Sequence, residues 1–241
     1  MTTPTTTPTI KGVLFDLDGT LLDIDIDELL RDYFAQLGPI IAPDLGLSVD
    51  EAVEIIYGGT KAMFTDHVGH TNKEVFNAYV LEQTGADYND PAISAPLDAF
   101  YRDIFPTLQG SAQPFAHTRA AIEACFDLGL AVGIATQPIF PALATQARLR
   151  WAGLDDFDLP VVSTYENSQS TKPMAHYFCD MASRIGVDPK HCVMVGDEPV
   201  LDIEAAAVGM TTFYVGSKDE ERVPDGRGDL NDFISFLTKR A

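Results

Sequence analysis

Residues 12–22 read GVLFDLDGTLL. A short apolar run, Gly12 to Phe15, passes directly into Asp16 and Asp18, which one residue separates, and a Gly19-Thr20 turn follows. A run of this kind, stopped by a turn, is the pattern of a strand buried on both faces of a parallel sheet. Two carboxylates at the end of such a strand are costly unless a cation or hydrogen bonds offset their repulsion and desolvation. The pair therefore points to a metal site. Mg²⁺ suits it, because this ion takes one or two carboxylates together with water and phosphate oxygens. Asp16 would share the metal with a phosphoryl group and attack that group through its other oxygen. Asp18 would protonate the leaving oxygen and then activate water, while Gly19 and Thr20 are read as substrate-contacting residues of the turn. The competing reading is a loop that merely ends a strand with turn-forming Asp and Gly. What falls at the other strand ends decides between them.

Working outward, similar runs occur at Ala131 to Ala135, Pro160 to Val162, Cys192 to Val195 and Thr212 to Val215. Between them lie helical patterns, His117 to Leu128 and Ala142 to Ala152, each stopped by a glycine suited to a helix C-terminus. In KPMAHYFCDMASRIG, Pro173 would sit in the first helical turn, and Met174, Tyr177, Phe178, Met181 and Ile185 recur at helical spacing. Alternating strands and helices predict an α/β fold, a doubly wound, Rossmann-like parallel sheet whose ligands bind at the carboxyl ends of the strands. Three further elements fall there. Thr136 follows AVGIA and would bind a phosphoryl oxygen through its hydroxyl and amide. Lys172 would neutralise both nucleophile and transferring group. In VMVGDEPVLDIEAA, Asp197 would be a metal ligand and Asp202, opening an alanine-rich helix, would orient Lys172 or a metal-bound water. Glu198 is either a carboxylate supporting that site or a solvated neighbour.

Together these elements resemble the haloacid dehalogenase (HAD) superfamily. Asp16-Leu17-Asp18-Gly19-Thr20 looks like its nucleophile motif, Thr136 its second motif, Lys172 its third, and Gly196-Asp197 through Asp202 its acidic fourth. The resemblance implies attack by Asp16, an aspartyl-phosphate intermediate, Asp18 as acid and then base, and Mg²⁺ held by Asp16, Asp197 and the backbone carbonyl of Asp18. Many relatives carry Asn after the second-motif Thr or Ser; here the residue is Gln137, whose longer amide is expected to reach the substrate. Dehalogenases of the superfamily resemble the first motif without its second aspartate, so Asp18 favours phosphoryl chemistry. A phosphomutase of the same fold and a non-catalytic binding module are the alternatives.

The segment 23–113 breaks the rhythm. It has no clear β run, and Ile26 to Leu37, Val49 to Tyr57 and Lys73 to Gln83 carry helical periodicity. We read residues 10–22 and 114–241 as the α/β core, 23–113 as an inserted α-helical cap over the sheet's carboxyl edge, and the Thr/Pro-rich residues 1–9 as a disordered tail. Tyr57, Lys61, Phe64, His67 and His70 are the cap's candidates for substrate contact, although ordinary surface positions explain them as well; His117, His176 and His191 have no evident chemical partner.

The net charge of −20 repels nucleic acid and anionic membranes. A small phosphorylated metabolite is the expected partner, provided the site carries local positive charge. No apolar run approaches the length of a membrane span. Three cysteines in apolar contexts, Cys125, Cys179 and Cys192, read as buried thiols of a cytoplasmic protein. Oligomeric state leaves no trace in the sequence.

Overall fold

The computed structural model describes residues 9–65, 67–217 and 223–241, so the expected tail lies, apart from Thr9, outside the described residues. Strand β1 (Gly12–Phe15) is buried at every position. Beyond it, β2 (Leu22–Asp23) pairs antiparallel with β3 (Gln113–Pro114), forming a two-stranded ribbon at the two ends of a helical insertion. The insertion contains α1 (Ile26–Leu45), α2 (Val49–Ala62), α3 (Asn72–Thr84) and α4 (Pro91–Ala99), followed by a π-helical turn, Phe100–Ile104. Helix α1 runs eight residues past its expected end, through Pro39 and Pro43. Leu29, Tyr33, Leu37, Ile41 and Leu45 are all buried along it at four-residue spacing. That continuous stripe outweighs the two lost backbone donors. Helices α2 and α3 start at capping boxes, Ser48 with Glu51 and Thr71 with Glu74.

After the ribbon come α5 (Thr118–Asp127), β4 (Ala131–Ile134), α6 (Ala142–Trp151), α7 (Ala175–Arg184), β5 (Cys192–Gly196), β6 (Thr211–Tyr214), β7 (Gly226–Arg227) and α8 (Leu230–Thr238). The five core strands form one parallel sheet in the order β4-β1-β5-β6-β7. Both faces are covered. Val13, Phe15, Val193 and Phe213 pack towards α5 and α8, with Phe15 edge-on to Phe233 at 5.4 Å. Leu14 and Met194 pack on the opposite face against Tyr177, Phe178 and Met181 of α7. The chain is thus an α/β protein with a doubly wound, Rossmann-like core.

Three local expectations need correction. The run at 160–162 does not become a full strand: Val162 forms a single parallel bridge to Ile134, flanked by hydrogen bonds that Ile134 N donates to Val161 O and Ser163 N to Ile134 O. Pro173 precedes its helix rather than entering it, because residues 171–174 form a turn closed by Met174 N donating to Thr171 O at 3.0 Å. Cys179 is exposed while Cys125 and Cys192 are buried. Position 179 falls between the inward-facing pairs 177–178 and 181–182 of α7.

Candidate active site

Parallel pairing in register brings the ends of adjacent strands together. Asp16 follows β1, Asp197 follows β5, and Thr136 lies two residues beyond β4, so three neighbouring strands deliver polar groups to one edge. They line a cavity of about 510 Å³ with Asp18, Gln137, Lys172 and Glu198. A groove of similar size, about 500 Å³, runs along α6 past Gln146, Leu154 and Asn167 and holds none of these residues.

Lys172 is at the centre of the polar network. Its Nζ donates to Asp16 Oδ1 and Asp202 Oδ1, each at 2.7 Å, and the three side chains are almost fully buried. Burial opposes the lysine's charge, but the two carboxylates more than offset it and hold the ammonium well above its ordinary range. Asp202 also accepts from Glu198 N at 3.0 Å through Oδ2. Burial raises its pKa to about 6, with Lys172 pulling the other way, and both of its oxygens are engaged. Asp202 precedes a 3₁₀ segment, Ile203–Val208, rather than the expected alanine-rich α-helix.

Thr20 Oγ1 donates towards Asp197 Oδ1 at 3.2 Å and Asp16 Oδ2 at 3.5 Å, spanning the two carboxylates. Gly19 permits their approach: its φ is +82° and a Cβ there would strike the Asp197 carboxylate. Burial pushes Asp197 up to about 7, and the charges of Asp16 and then Asp202 add to the effect. Asp16, Asp197 and Asp202 each offer an oxygen within 4.8 Å of the others. Since Asp202 is already engaged on both sides, Asp16 and Asp197 are the pair open to a cation. Their hard oxygens, mutual repulsion and partial desolvation fit a divalent ion such as Mg²⁺.

Thr136 is buried, and its carbonyl accepts from Ser163 Oγ and Tyr177 Oη, each at 2.7 Å, which holds the loop after β4 against α7. Gln137 is engaged differently from the sequence expectation. Its Nε2 donates to Lys172 O at 3.1 Å and its Oε1 accepts from Lys172 N at 2.9 Å. The longer amide ties two active-site loops together through one Nε2 hydrogen and Oε1, and the residue also lines the cavity.

Sequence reasoning missed Arg148. It lies on α6, is almost wholly buried, and pairs through Nη1 with Asp18 Oδ2. Burial raises the Asp18 pKa, and Arg148 is the main group opposing that rise. The signal was present, since Ala144, Ala147, Arg148 and Trp151 share the helical face that is buried.

The non-core wall comes from the start of the helical insertion: Ile24, Asp25, Ile26, Asp27 and Leu30. Tyr57, Lys61, Phe64, His67 and His70 are all absent from the lining. Tyr57 stacks on Phe34 at 4.5 Å. His67 Nε2 lies 2.7 Å from Asn72 Oδ1, and buried Asn72 donates through Nδ2 to Pro138 O at 2.7 Å and Ser170 O at 3.3 Å. This contact docks α3 onto the loops that carry Gln137 and Lys172.

A family model described as haloacid dehalogenase-like hydrolase matches residues 10–209. The phosphoglycolate phosphatase of Rhodospirillum rubrum is 29% identical over 236 residues, covering 94% of this chain and 91% of its own. Hexitol phosphatase B of Escherichia coli K12 is 27% identical over 226 residues, covering 89% and 87%. Among solved structures, a HAD phosphatase from Thermococcus onnurineus superposes with a TM-score of 0.61 at 25% identity, covering 96% of this chain and all of that one.

Proposed function

The chain belongs to the haloacid dehalogenase-like hydrolases and is a phosphatase, and from that premise we propose that it hydrolyses a small phosphomonoester through an aspartyl-phosphate on Asp16, with Mg²⁺ beside it. The observation that carries this reading is the arrangement around Asp16. Lys172 neutralises one side of its carboxylate at 2.7 Å, and Asp197 stands on the other across Thr20.

Asp16, Asp197 and the main-chain carbonyl of Asp18 would hold the ion. When bound, Mg²⁺ supplies charge neutralisation between the two carboxylates and the phosphoryl oxygens. An Asp16 oxygen attacks phosphorus, the ester P–O bond breaks, and Asp18 gives its proton to the departing alkoxide. Asp18, now a carboxylate, takes a proton from water as that water attacks the aspartyl-phosphate. Inorganic phosphate leaves, and both Asp16 and the Asp18 proton are restored. Thr136 and the Gly19-Thr20 turn contact the phosphoryl oxygens, and Lys172 offsets their charge. Gln137 serves this step by fixing the Lys172 backbone.

We assign 10–22 and 114–241 to a catalytic core and 23–113 to a cap that excludes bulk water. The cap's wall of the cavity is apolar apart from Asp25 and Asp27, and both lining cations, Lys172 and Arg148, are already paired. This lining favours a neutral, hydroxyl-bearing leaving group over one with a second anionic group. The buried free thiols Cys125 and Cys192 fit a reducing compartment such as the cytoplasm.

The test is phosphate release from a panel of hexitol, glycerol and glycolate phosphates, with and without Mg²⁺, for the natural protein and Asp16→Asn. Metal-dependent release that falls at least about 10³-fold in the variant is expected. Full release by Asp16→Asn would overturn the proposal, and conversion to an isomeric phosphate without free phosphate would replace hydrolysis with mutase chemistry.

A further inference from the structure

Asp18 is held from one side only. Its Oδ2 accepts from Arg148 Nη1, while Oδ1 is buried with no hydrogen-bond partner, and the residue lines the cavity. The arginine is itself fixed at two further points. Its Nη2 donates to Thr145 Oγ1 at 3.2 Å, one turn earlier on α6, and its guanidinium lies over the Phe140 ring at 4.8 Å from the centroid. The Arg148 side chain is 2% exposed and that of Asp18 15%. Burying such a pair carries a large desolvation cost, and an apolar residue of similar volume often stabilises a core at least as well. Folding alone does not explain an arginine here. A guanidinium that is itself held at Thr145 and over Phe140 does, however, fix the direction from which Asp18 Oδ2 is held, which a mobile ammonium or a water does not.

We infer that Arg148 is a positioning residue for phosphoryl transfer, holding Asp18 by Oδ2 so that Oδ1 faces the leaving oxygen in the first step and the attacking water in the second. The inference rests on the proposed role of Asp18 as proton donor and acceptor. Arg148 acts through Asp18: its two terminal nitrogens are taken by Asp18 and Thr145, its Nε is buried with no partner, and Phe140 lies against the guanidinium. The ester oxygen or the water then completes the one carboxylate oxygen that the protein leaves without a donor.

The experiment compares an alkyl phosphate, whose alkoxide needs a proton to depart, with p-nitrophenyl phosphate, whose phenolate does not. For Arg148→Met, kcat/KM on the alkyl ester, which reports leaving-group departure, falls about 100-fold and kcat/KM on the aryl ester falls less than about fivefold, while the shared hydrolysis of the aspartyl-phosphate slows for both. Arg148→Lys restores part of the alkyl-ester kcat/KM. Equal losses of kcat/KM on the two esters, or a raised KM with unchanged kcat, would overturn the inference.

A second comparison holds even if Arg148→Met folds poorly. Asp18→Asn and the double variant Asp18→Asn/Arg148→Met leave, respectively, one and neither of the paired charges. If Arg148 works only through Asp18, the double variant is no slower on the aryl ester than Asp18→Asn alone; a further tenfold fall defeats the idea. Asp18→Asn also separates the two levels of the argument. Loss of kcat/KM confined to the alkyl ester supports Asp18 as proton donor whatever Arg148 does, and equal loss of kcat/KM on both esters removes that reading and the Arg148 inference with it.

Discussion

The core and the helical insertion bury different things. The core places charges in its interior: Asp16, Lys172 and Asp202 form one buried triad, and Asp18 with Arg148 a second pair. The insertion buries aromatic surface instead. Tyr33 meets Phe100 at 5.7 Å and Phe105 at 6.1 Å edge to face, and its hydroxyl shares a 2.7 Å hydrogen bond with Tyr101. Burial raises both of these tyrosine pKa values, so both phenols stay neutral. Apolar area is non-directional and stabilises wherever it packs, whereas a buried charge is stable only in one geometry with one partner. The insertion is therefore built for stability and shape, and the core spends stability to hold reactive groups in place.

Lys172→Met tests that contrast most severely. It leaves Asp16 and Asp202 without their cation, so urea unfolding in the presence of a chelator should show a loss of about 3–5 kcal/mol, phosphatase activity should vanish, and added Mg²⁺ should recover part of the stability but not the rate. Phe105→Ala is the counterpart in the insertion. Phe105 is fully buried and stacks on Trp151 of α6 at 5.6 Å, so a loss of about 3–4 kcal/mol is expected, with the folded protein keeping most of its kcat. A collapse of kcat at unchanged stability would show that the insertion does more than pack.

Asn72→Ala acts where the two regions meet. It leaves Pro138 O and Ser170 O without their buried donor, which costs about 1–3 kcal/mol by urea unfolding. It also loosens the loops bearing Gln137 and Lys172, so KM should change more than for Phe105→Ala. The last test is in pH. Asp197 rises from 3.8 to about 7 on folding. The folded protein thus retains a proton that the unfolded chain releases, and the group's stabilising contribution, complete below about pH 4, is lost as pH rises through about 7. Chelator-treated protein should lose stability across that window, Mg²⁺ should flatten the profile, and a stability that rises with pH there would contradict this account.

The two regions also differed in how much could be read in advance. In the core, abrupt ends of apolar runs marked β1, β4, β5 and β6, because strands buried on both faces are mostly apolar until they leave the sheet. In the insertion, α1 was read too short because prolines at 39 and 43 are strong local breakers, and α4, with Pro91 at its start and Pro96 inside, was not recognised at all. Tertiary burial outweighed local propensity in both helices. Arg148 was overlooked for a related reason: a charged residue on a helix is assumed to face water unless a partner is known.

The sequence by itself determined the fold class, the place of the chemistry at strand ends, and the identities of Asp16, Asp18, Thr136, Lys172, Asp197 and Asp202 as groups that belong together. The fold class and the strand ends follow from short-range facts, the period of a strand and the cost of ending it in carboxylates, and the grouping of those residues follows from their resemblance, in order, to the superfamily's four motifs. Only the tertiary structure decided who partners whom. Lys172 reaches Asp16 across 156 residues and Arg148 reaches Asp18 across 130, and Gln137 joins the Lys172 backbone at the cavity wall. Those pairings depend on the β4-β1-β5 strand order and on where α1 and α6 come to rest. Both are set by packing over long sequence separations, where no local pattern reaches.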